Sequence, residues 1–174
     1  MSGFRKDKGW SDKFIPIVKL IVGSHLLNVT SDEVDQNQAS DLVTLNSNPT
    51  SIACRIRRHG WCLAFPTQFT LRSARDSGSK TELEKIVEGF GDWLFYAHSS
   101  ITESGFDQWF LISLNNFRHH WTYNREAIKH GSQPNGDGTH FEWFDLNSFP
   151  PVPSILIDSK YPLPKHIEVE NVNF

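Results

Sequence analysis

The chain has 174 residues, the usual size of one domain, and 38% of them are hydrophobic, including thirteen Phe and six Trp. This composition excludes an intrinsically disordered chain, because so many large side chains need an interior or an interface. The formal net charge of −3 excludes a global attraction to nucleic acid or to an anionic membrane, so an anionic partner needs a local basic patch.

The N-terminal region predicts a cytoplasmic protein with no membrane partner. Its longest apolar run, Phe14 to Val22, is interrupted by Lys19 and is too short to span a bilayer. The residues before it lack the apolar segment of a signal peptide. In a reducing compartment Cys54 and Cys62 are expected to be thiols rather than a disulfide.

The first elements are expected after a polar, flexible N-terminus over residues 1–12. Residues 14–27 form an apolar segment with Pro16 near its start, which favours a short buried helix, with a strand as the competing assignment. A polar, acidic loop then leads into a short β-rich segment that begins at Asp41. The sequence therefore predicts one α/β domain over residues 13–174.

Turn and strand patterns predict three neighbouring strands followed by a helix. A turn over residues 46–50 is expected to join the strand at Asp41 to a strand over 51–58 as a hairpin, and a third strand starts at Gln68. Apolar residues then recur at helical spacing over residues 79–89, which predicts a helix. A three-stranded unit covered by this helix is the expected centre of the fold.

The second half of the chain predicts two buried strands, a helix and a C-terminal hairpin. The strands cover residues 93–98 and 108–114, and the helix starts near Asn115. A turn at Asn135 precedes an alternating strand, and a proline-rich tail follows within residues 121–174. We therefore expect an α/β (α+β) fold with a central mixed β-sheet flanked by helices.

Seven charged or polar residues of this predicted core are candidates for a functional site. They are Asp41, Arg55, Arg57, Gln68, Arg72, Glu82 and Lys85. Alternation along a strand places Arg55 and Arg57 on one face of the second strand, and Gln68 and Arg72 on one face of the third. If the hairpin pairs in simple register, Asp41 faces the arginines of its neighbour.

These residue types suit phosphoryl chemistry, with DNA as the expected partner. Asp41 and Glu82 offer the hard oxygen ligands that Mg²⁺ prefers, which makes them the candidate metal ligands. The arginine forks bind phosphate oxygens, and Lys85 adds positive charge where negative charge develops during hydrolysis. The catalytic candidates are therefore Asp41, Gln68, Glu82 and Lys85.

Each candidate also has a purely structural interpretation. Glu82 lies three residues after Ser79 and fits a capping box, and Lys85 fits the solvated face of a helix. Asp41 fits the cap of a turn after the acidic loop. The arginines fit surface ion pairs, although a sheet face packed under a helix favours apolar residues where Arg72 stands.

Five segments of the chain resemble, in their order and composition, a group of uncharacterised phage and bacterial proteins whose core is similar to that of the PD-(D/E)XK nucleases. The segments are Ser40–Leu45, Ile52–Arg58, Gln68–Ser73, Thr81–Ile86 and Gly91–His98. The resemblance covers about residues 14–120. It implies a restriction-endonuclease-like core and a Mg²⁺-dependent phosphodiesterase acting on DNA, with Asp41 at the position of the family's lone aspartate.

The second motif of that family, an acidic residue two positions before a lysine, is not reproduced. The usual spacing puts Ala53 and Arg55 at the two positions, and the next strand puts Gln68 and Thr70 there. A second carboxylate would then come from Glu82 or from the acidic loop.

Two hypotheses follow. The first is a nuclease-like protein of phage or mobile-element type that binds DNA through Arg55, Arg57 and Arg72 and hydrolyses it with Mg²⁺ held by Asp41 and Glu82. The second is a non-catalytic accessory module that binds nucleic acid or a protein partner.

Overall fold

A computed structural model describes residues 3–29, 42–44, 50–75, 78, 80–135 and 137–160. These residues form a mixed α and β fold with five α-helices and nine strands. The chain divides into two compact units, residues 1–51 and residues 52–174. None of the described helices is both long enough and apolar enough to cross a membrane.

The first unit contains two helices and a two-stranded ribbon. Helix α1 (Gly3–Asp12) replaces the flexible terminus predicted there, and helix α2 (Ile15–Leu26) confirms the helix expected over the apolar segment. Pro16 lies in the first turn of α2, where its missing N–H leaves no hydrogen bond unmade. Strands β1 (Leu27–Val29) and β2 (Leu42–Thr44) pair antiparallel.

The buried side chains that the structure describes in this unit lie at the start of α2 and along one side of it. Phe14, Val18 and Val22 follow one another at intervals of four residues and are each at most 4% exposed. The ring of Trp10 meets Phe14 edge-on, with 5.2 Å between the ring centroids. The spacing explains why a helix forms here rather than a strand, since a strand would send successive side chains to opposite faces.

The second unit is built on two β-sheets. Its strands are β3 (Ile52–Arg57), β4 (Gln68–Arg75), β5 (Trp93–Ser99), β6 (Phe106–Ser113), β7 (His130–Pro134), β8 (Thr139–Asp145) and β9 (Leu156–Lys160). A mixed sheet has the order β3-β5-β6-β9, in which β3 runs parallel to β5 and the other pairs are antiparallel. An antiparallel sheet has the order β4-β8-β7.

Three helices of this unit are α3 (Trp61–Ala64), α4 (Glu82–Val87) and α5 (Leu114–Tyr123). Thr81 begins α4 through a capping box with Glu84, and the Ser113 side chain caps α5. These caps satisfy backbone N–H groups that a helix start leaves without intrahelical partners. The expected helix over 79–89 is confirmed, but its capping residue is Thr81, and Ser79 lies outside the described residues.

The predicted strands of both units are confirmed, but their expected pairing is wrong. β2 pairs with β1, and β3 pairs with β5, so the predicted hairpin between β2 and β3 does not form. β3 and β4 also belong to different sheets, so two sheets replace the single central sheet of the prediction. The stretch between β3 and β4 contains helix α3, which keeps the two strands from forming a tight hairpin.

Candidate functional site

An open cleft of about 430 Å³ lies where β3, β4, α4 and the start of α5 come together. We call it the cationic cleft. Its lining consists of Ala53, Cys54, Arg55, Arg72, Arg75, Glu82, Lys85, Ile86, Phe90, Gly91 and Leu114. Four of these side chains are basic and one is acidic, so the cleft is positively charged within a chain whose net charge is −3.

Glu82 connects the two strands that border the cleft. Its Oε2 atom pairs with the Arg55 guanidinium from β3 and accepts a hydrogen bond of 3.1 Å from the backbone N–H of Arg72 in β4. The capping box at Thr81 places Glu82 at the first position of α4. The two side chains of the ion pair are only 17% and 25% exposed, so water screens their attraction little.

Burial sets the protonation chemistry of Arg55. Loss of solvation lowers the pKa of its guanidinium, while the Glu82 carboxylate opposes this by stabilising the charged form. The positive charges of Arg57 and Arg72 lower the pKa further. Arg55 is therefore a cation whose charge Glu82 already balances, and its main effect is to fix the wall of the cleft.

The remaining cations of the cleft are Arg72, Arg75 and Lys85. Within the described part of the chain none of these three side chains forms an ion pair. The Nε atom of Arg75 is buried, and no described residue accepts a hydrogen bond from it. A buried donor without an acceptor is costly, so an anion in the cleft would relieve an existing deficit.

One further carboxylate lies within electrostatic reach of Arg72. Hydrogen bonds from Thr139 lower the pKa of Asp137, and the positive charge of Arg72 contributes to the same direction. Asp137 does not line the cleft, and its Oδ1 atom accepts from both the backbone N–H and the hydroxyl of Thr139. The positive charge inside the cleft thus remains in excess.

Arg57 belongs to a neighbouring polar cluster. Its guanidinium donates to the Thr70 hydroxyl at 2.5 Å and to the Tyr96 hydroxyl at 3.4 Å, and it lies 5.9 Å from the centroid of the Phe141 ring. These contacts bridge β3, β4 and β5. Arg57 is therefore held by protein hydroxyl groups, and it does not line the cleft.

Beside this cluster lies the buried histidine His98. Its Nδ1 atom is 3.1 Å from the side-chain oxygen of Gln108, and the amide nitrogen of Gln108 donates to the Pro66 carbonyl at 2.5 Å. Since an amide oxygen can only accept, Nδ1 carries the proton. Burial, with a smaller contribution from Arg57, lowers the pKa of His98 from 6.5 to about 4.

The structure brings together four of the seven residues singled out from the sequence. Arg55, Arg72, Glu82 and Lys85 line the cationic cleft. Arg57 lies in the neighbouring cluster, Gln68 is not part of the lining, and Asp41 lies outside the described residues. The structural alternative for Glu82, a place in the capping box, is wrong, because Glu84 is the acidic residue of that box.

Sequence reasoning missed Arg75, and a β-bulge explains why. Strict alternation puts Arg72 and Arg75 on opposite faces of β4, since they are an odd number of residues apart. The register shifts between Arg72 and Ala74, so Arg72 faces Phe141 and Arg75 faces Thr139. The extra residue returns Arg75 to the face of Arg72. No local signal in the sequence marks this bulge.

The donor groups of the cleft do not fit Mg²⁺. Its acidic side chain, Glu82, already receives the Arg55 guanidinium and the Arg72 N–H on one oxygen. The cations without ion pairs would repel a second positive charge. Among the described residues, no group of three or more His, Cys, Asp or Glu side chains could hold a metal ion.

The chemistry of the cationic cleft is that of an anion site. Guanidinium groups and an ammonium group converge there, and they match the oxygens of phosphate or carboxylate. Comparisons of the chain with models of protein families, with curated proteins and with solved structures found no match.

Proposed function

We propose that this protein binds nucleic acid by holding its phosphate backbone in the cationic cleft. The observation that carries the proposal is the convergence of Arg72, Arg75 and Lys85, none of which has an ion-pair partner among the described residues. Arginine forks bind phosphate oxygens in a bidentate manner, and a lysine adds a mobile point charge. The partner class is thus a polymer of phosphodiesters.

The charge distribution supports a local rather than a global attraction. With a net charge of −3, the chain as a whole repels a polyanion, so binding needs a patch where positive charge is concentrated. The cleft supplies such a patch, because four basic side chains surround one carboxylate. Affinity should therefore fall steeply with salt, since each neutralised phosphate releases counterions.

Magnesium-dependent cleavage by a restriction-endonuclease-like core is the catalytic form of the same proposal. It needs Asp41, which lies outside the described residues, to join Glu82 around a metal ion. The ion pair of Glu82 with Arg55 favours binding over hydrolysis, because a carboxylate that balances a buried guanidinium is a poor metal ligand. A non-catalytic binding module is accordingly our preferred form.

The proposal is tested by fluorescence anisotropy with labelled DNA over a series of salt concentrations. Arg72→Ala and Arg75→Ala should each weaken binding and reduce the slope of log affinity against log salt by about one phosphate contact. Arg125→Ala is the matched control, because Arg125 is an exposed cation that lies over the Trp121 ring, 4.2 Å from its centroid, and away from the cleft lining. Unchanged affinity in both cleft variants would refute the proposal.

A nuclease assay distinguishes binding from cleavage. Labelled single- and double-stranded DNA is incubated with Mg²⁺, Mn²⁺ or EDTA, and the chain is compared with Asp41→Ala and Glu82→Gln. A binding module leaves the DNA intact, and Glu82→Gln binds at least as tightly as the parent because a negative charge is removed from the cleft. Metal-dependent cleavage that is lost in both variants would instead establish a nuclease.

A further inference from the structure

An exposed phenylalanine stands at the rim of the cationic cleft. Phe90 lines the cleft, yet its side chain is 64% exposed. It follows α4, and its backbone N–H donates to the Lys85 carbonyl at 3.0 Å. A large apolar ring left in water forgoes the free energy that burial would bring, so its face remains available to a ligand at the mouth of the charged cleft.

Hydrogen bonds from one arginine hold the turn that presents Phe90. Arg118 donates from Nη1 to the carbonyls of Ile86, Phe90 and Gly91, at 3.3, 3.4 and 3.0 Å. Gly89 and Gly91 have φ angles of +106° and +80°, which residues with side chains rarely adopt. The ring is thus held at the rim by its backbone, before any ligand arrives.

Cations and an aromatic ring in one small cleft match the two halves of a nucleotide. Arg72, Arg75 and Lys85 suit the phosphate, and the exposed face of Phe90 suits a nucleobase. A duplex keeps its base faces inside the stack, so it cannot offer one to Phe90, whereas a single strand can. The cleft volume of about 430 Å³ is that of a small-ligand pocket, and it suits a short piece of strand.

We infer that the cationic cleft binds single-stranded nucleic acid, with one base stacked on Phe90 and the adjoining phosphates held by Arg72, Arg75 and Lys85. This inference rests on the proposed function and narrows its partner from nucleic acid in general to unpaired strands. Phe90 is a binding residue in this scheme, and Arg118 is a positioning residue that acts through the turn.

The test compares three labelled probes of about 12 nucleotides, a length within the range that such sites cover. They are a thymidine single strand, the same strand without its bases, and an adenine–thymine duplex. Phe90→Ala should weaken binding of the intact single strand about tenfold or more and leave binding of the abasic strand unchanged, because only the intact strand has a base to stack. Phe90→Trp should bind the intact single strand about as tightly as the parent does, because its ring can also stack on a base.

The matched control is Phe65→Ala, which removes an exposed phenylalanine that stacks on Trp61 and does not line the cleft. It should bind all three probes as the parent does. Two results would overturn the inference while leaving the proposed function intact: equal loss of both single strands in Phe90→Ala, or tighter binding of the duplex. Failure of every probe to bind at low salt would overturn the proposed function as well.

Discussion

His98 shows how one buried side chain adds pH dependence to this fold. It is 2% exposed, and its ring meets the Tyr96 ring edge-on with 5.4 Å between centroids. Gln108 accepts its hydrogen bond and in turn donates to the Pro66 carbonyl, so the chain of polar groups is satisfied while the imidazole is neutral. A second proton would place a buried charge close to Arg57.

Acid should therefore destabilise the protein through His98. Well above pH 6.5 the imidazole is neutral in both the folded and the unfolded chain, so it contributes no pH dependence there. As the pH falls towards 4, the unfolded chain takes up a proton that the folded chain refuses, and the free energy of unfolding decreases by at most about 3 kcal/mol. The free energy of unfolding of the parent and of His98→Gln is measured by urea denaturation at pH values between 7 and 4. The difference between the two plots of this free energy against pH gives the loss due to His98.

An exposed histidine supplies the control for this experiment. His119 lies on the solvent side of α5, and His119→Gln should follow the parent curve. Carboxylates that titrate in the same range affect all three proteins alike, so they cancel in the comparison. Parallel curves for the parent and His98→Gln would show that burial of His98 does not disfavour its charged form.

At the same scale, residue type and position predicted four of the five charged side chains that line the cleft. Arg55, Arg72, Glu82 and Lys85 were expected to act together, and they do line one cleft. The role of Glu82 was less accessible, because pairing with Arg55 depends on how β3 approaches α4, a contact between residues far apart in the sequence. The pattern of apolar residues in the sequence determines which face of a strand or helix is buried, whereas the approach of β3 to α4 depends on the whole fold.

Among the elements, α4 is so short that its stability depends on the hydrogen bonds at its ends. It has only six residues, Glu82–Val87, and isolated helices of this length are unstable in water. The Thr81 hydroxyl accepts from the Glu84 N–H, and the Glu84 carboxylate accepts from the Thr81 N–H at 2.6 Å. The Thr81 N–H, together with the Thr81 hydroxyl that donates to the Glu84 carboxylate at 2.9 Å, lowers the pKa of Glu84. The capping box thereby sets the position of Glu82 and hence one wall of the cleft.

Loss of the Thr81 hydroxyl should weaken α4 measurably. Thr81→Val keeps the shape of a side chain that is 3% exposed but removes the cap, and it should lower the free energy of unfolding by about 1 kcal/mol. Thr81→Ser keeps the hydroxyl and loses only a methyl group, so its loss should be smaller. Denaturant unfolding monitored by circular dichroism compares the two, and a larger loss in Thr81→Ser would assign the effect to packing rather than to capping.

The elements themselves followed from local patterns, whereas their pairing did not. Helical spacing identified α4, an apolar segment with Pro16 near its start favoured α2, and buried apolar runs identified β5 and β6. The partner of β3 was predicted wrongly, because a turn signal at residues 46–50 favours a hairpin with the preceding strand and carries no information about a parallel partner some forty residues later. Strand β9 was not predicted, because the proline-rich stretch before it resembles an irregular tail.

At the scale of the second unit, a cluster of aromatic rings joins its two sheets. Phe69 lies on β4 and is fully buried, with its ring stacked on Phe144 of the same sheet at a centroid distance of 5.1 Å. It also meets Tyr96 of the mixed sheet at 6.3 Å and Phe117 of α5 at 6.0 Å. One ring thus touches both sheets and a helix, so the cleft walls on β3 and β4 depend on a common core.

Removal of this ring should loosen the second unit as a whole. Phe69→Ala is expected to lower the free energy of unfolding by about 3–5 kcal/mol, because it removes buried apolar surface and leaves a cavity between groups that both sheets hold in place. Phe65→Ala, at a ring that is 43% exposed, should change it far less. Denaturant unfolding should be followed by tryptophan fluorescence and by circular dichroism, and the two transitions should coincide if the sheets unfold together. A small loss in Phe69→Ala, or separate transitions for the two signals in the parent, would mean that the sheets are stabilised independently and that the aromatic cluster does not couple them.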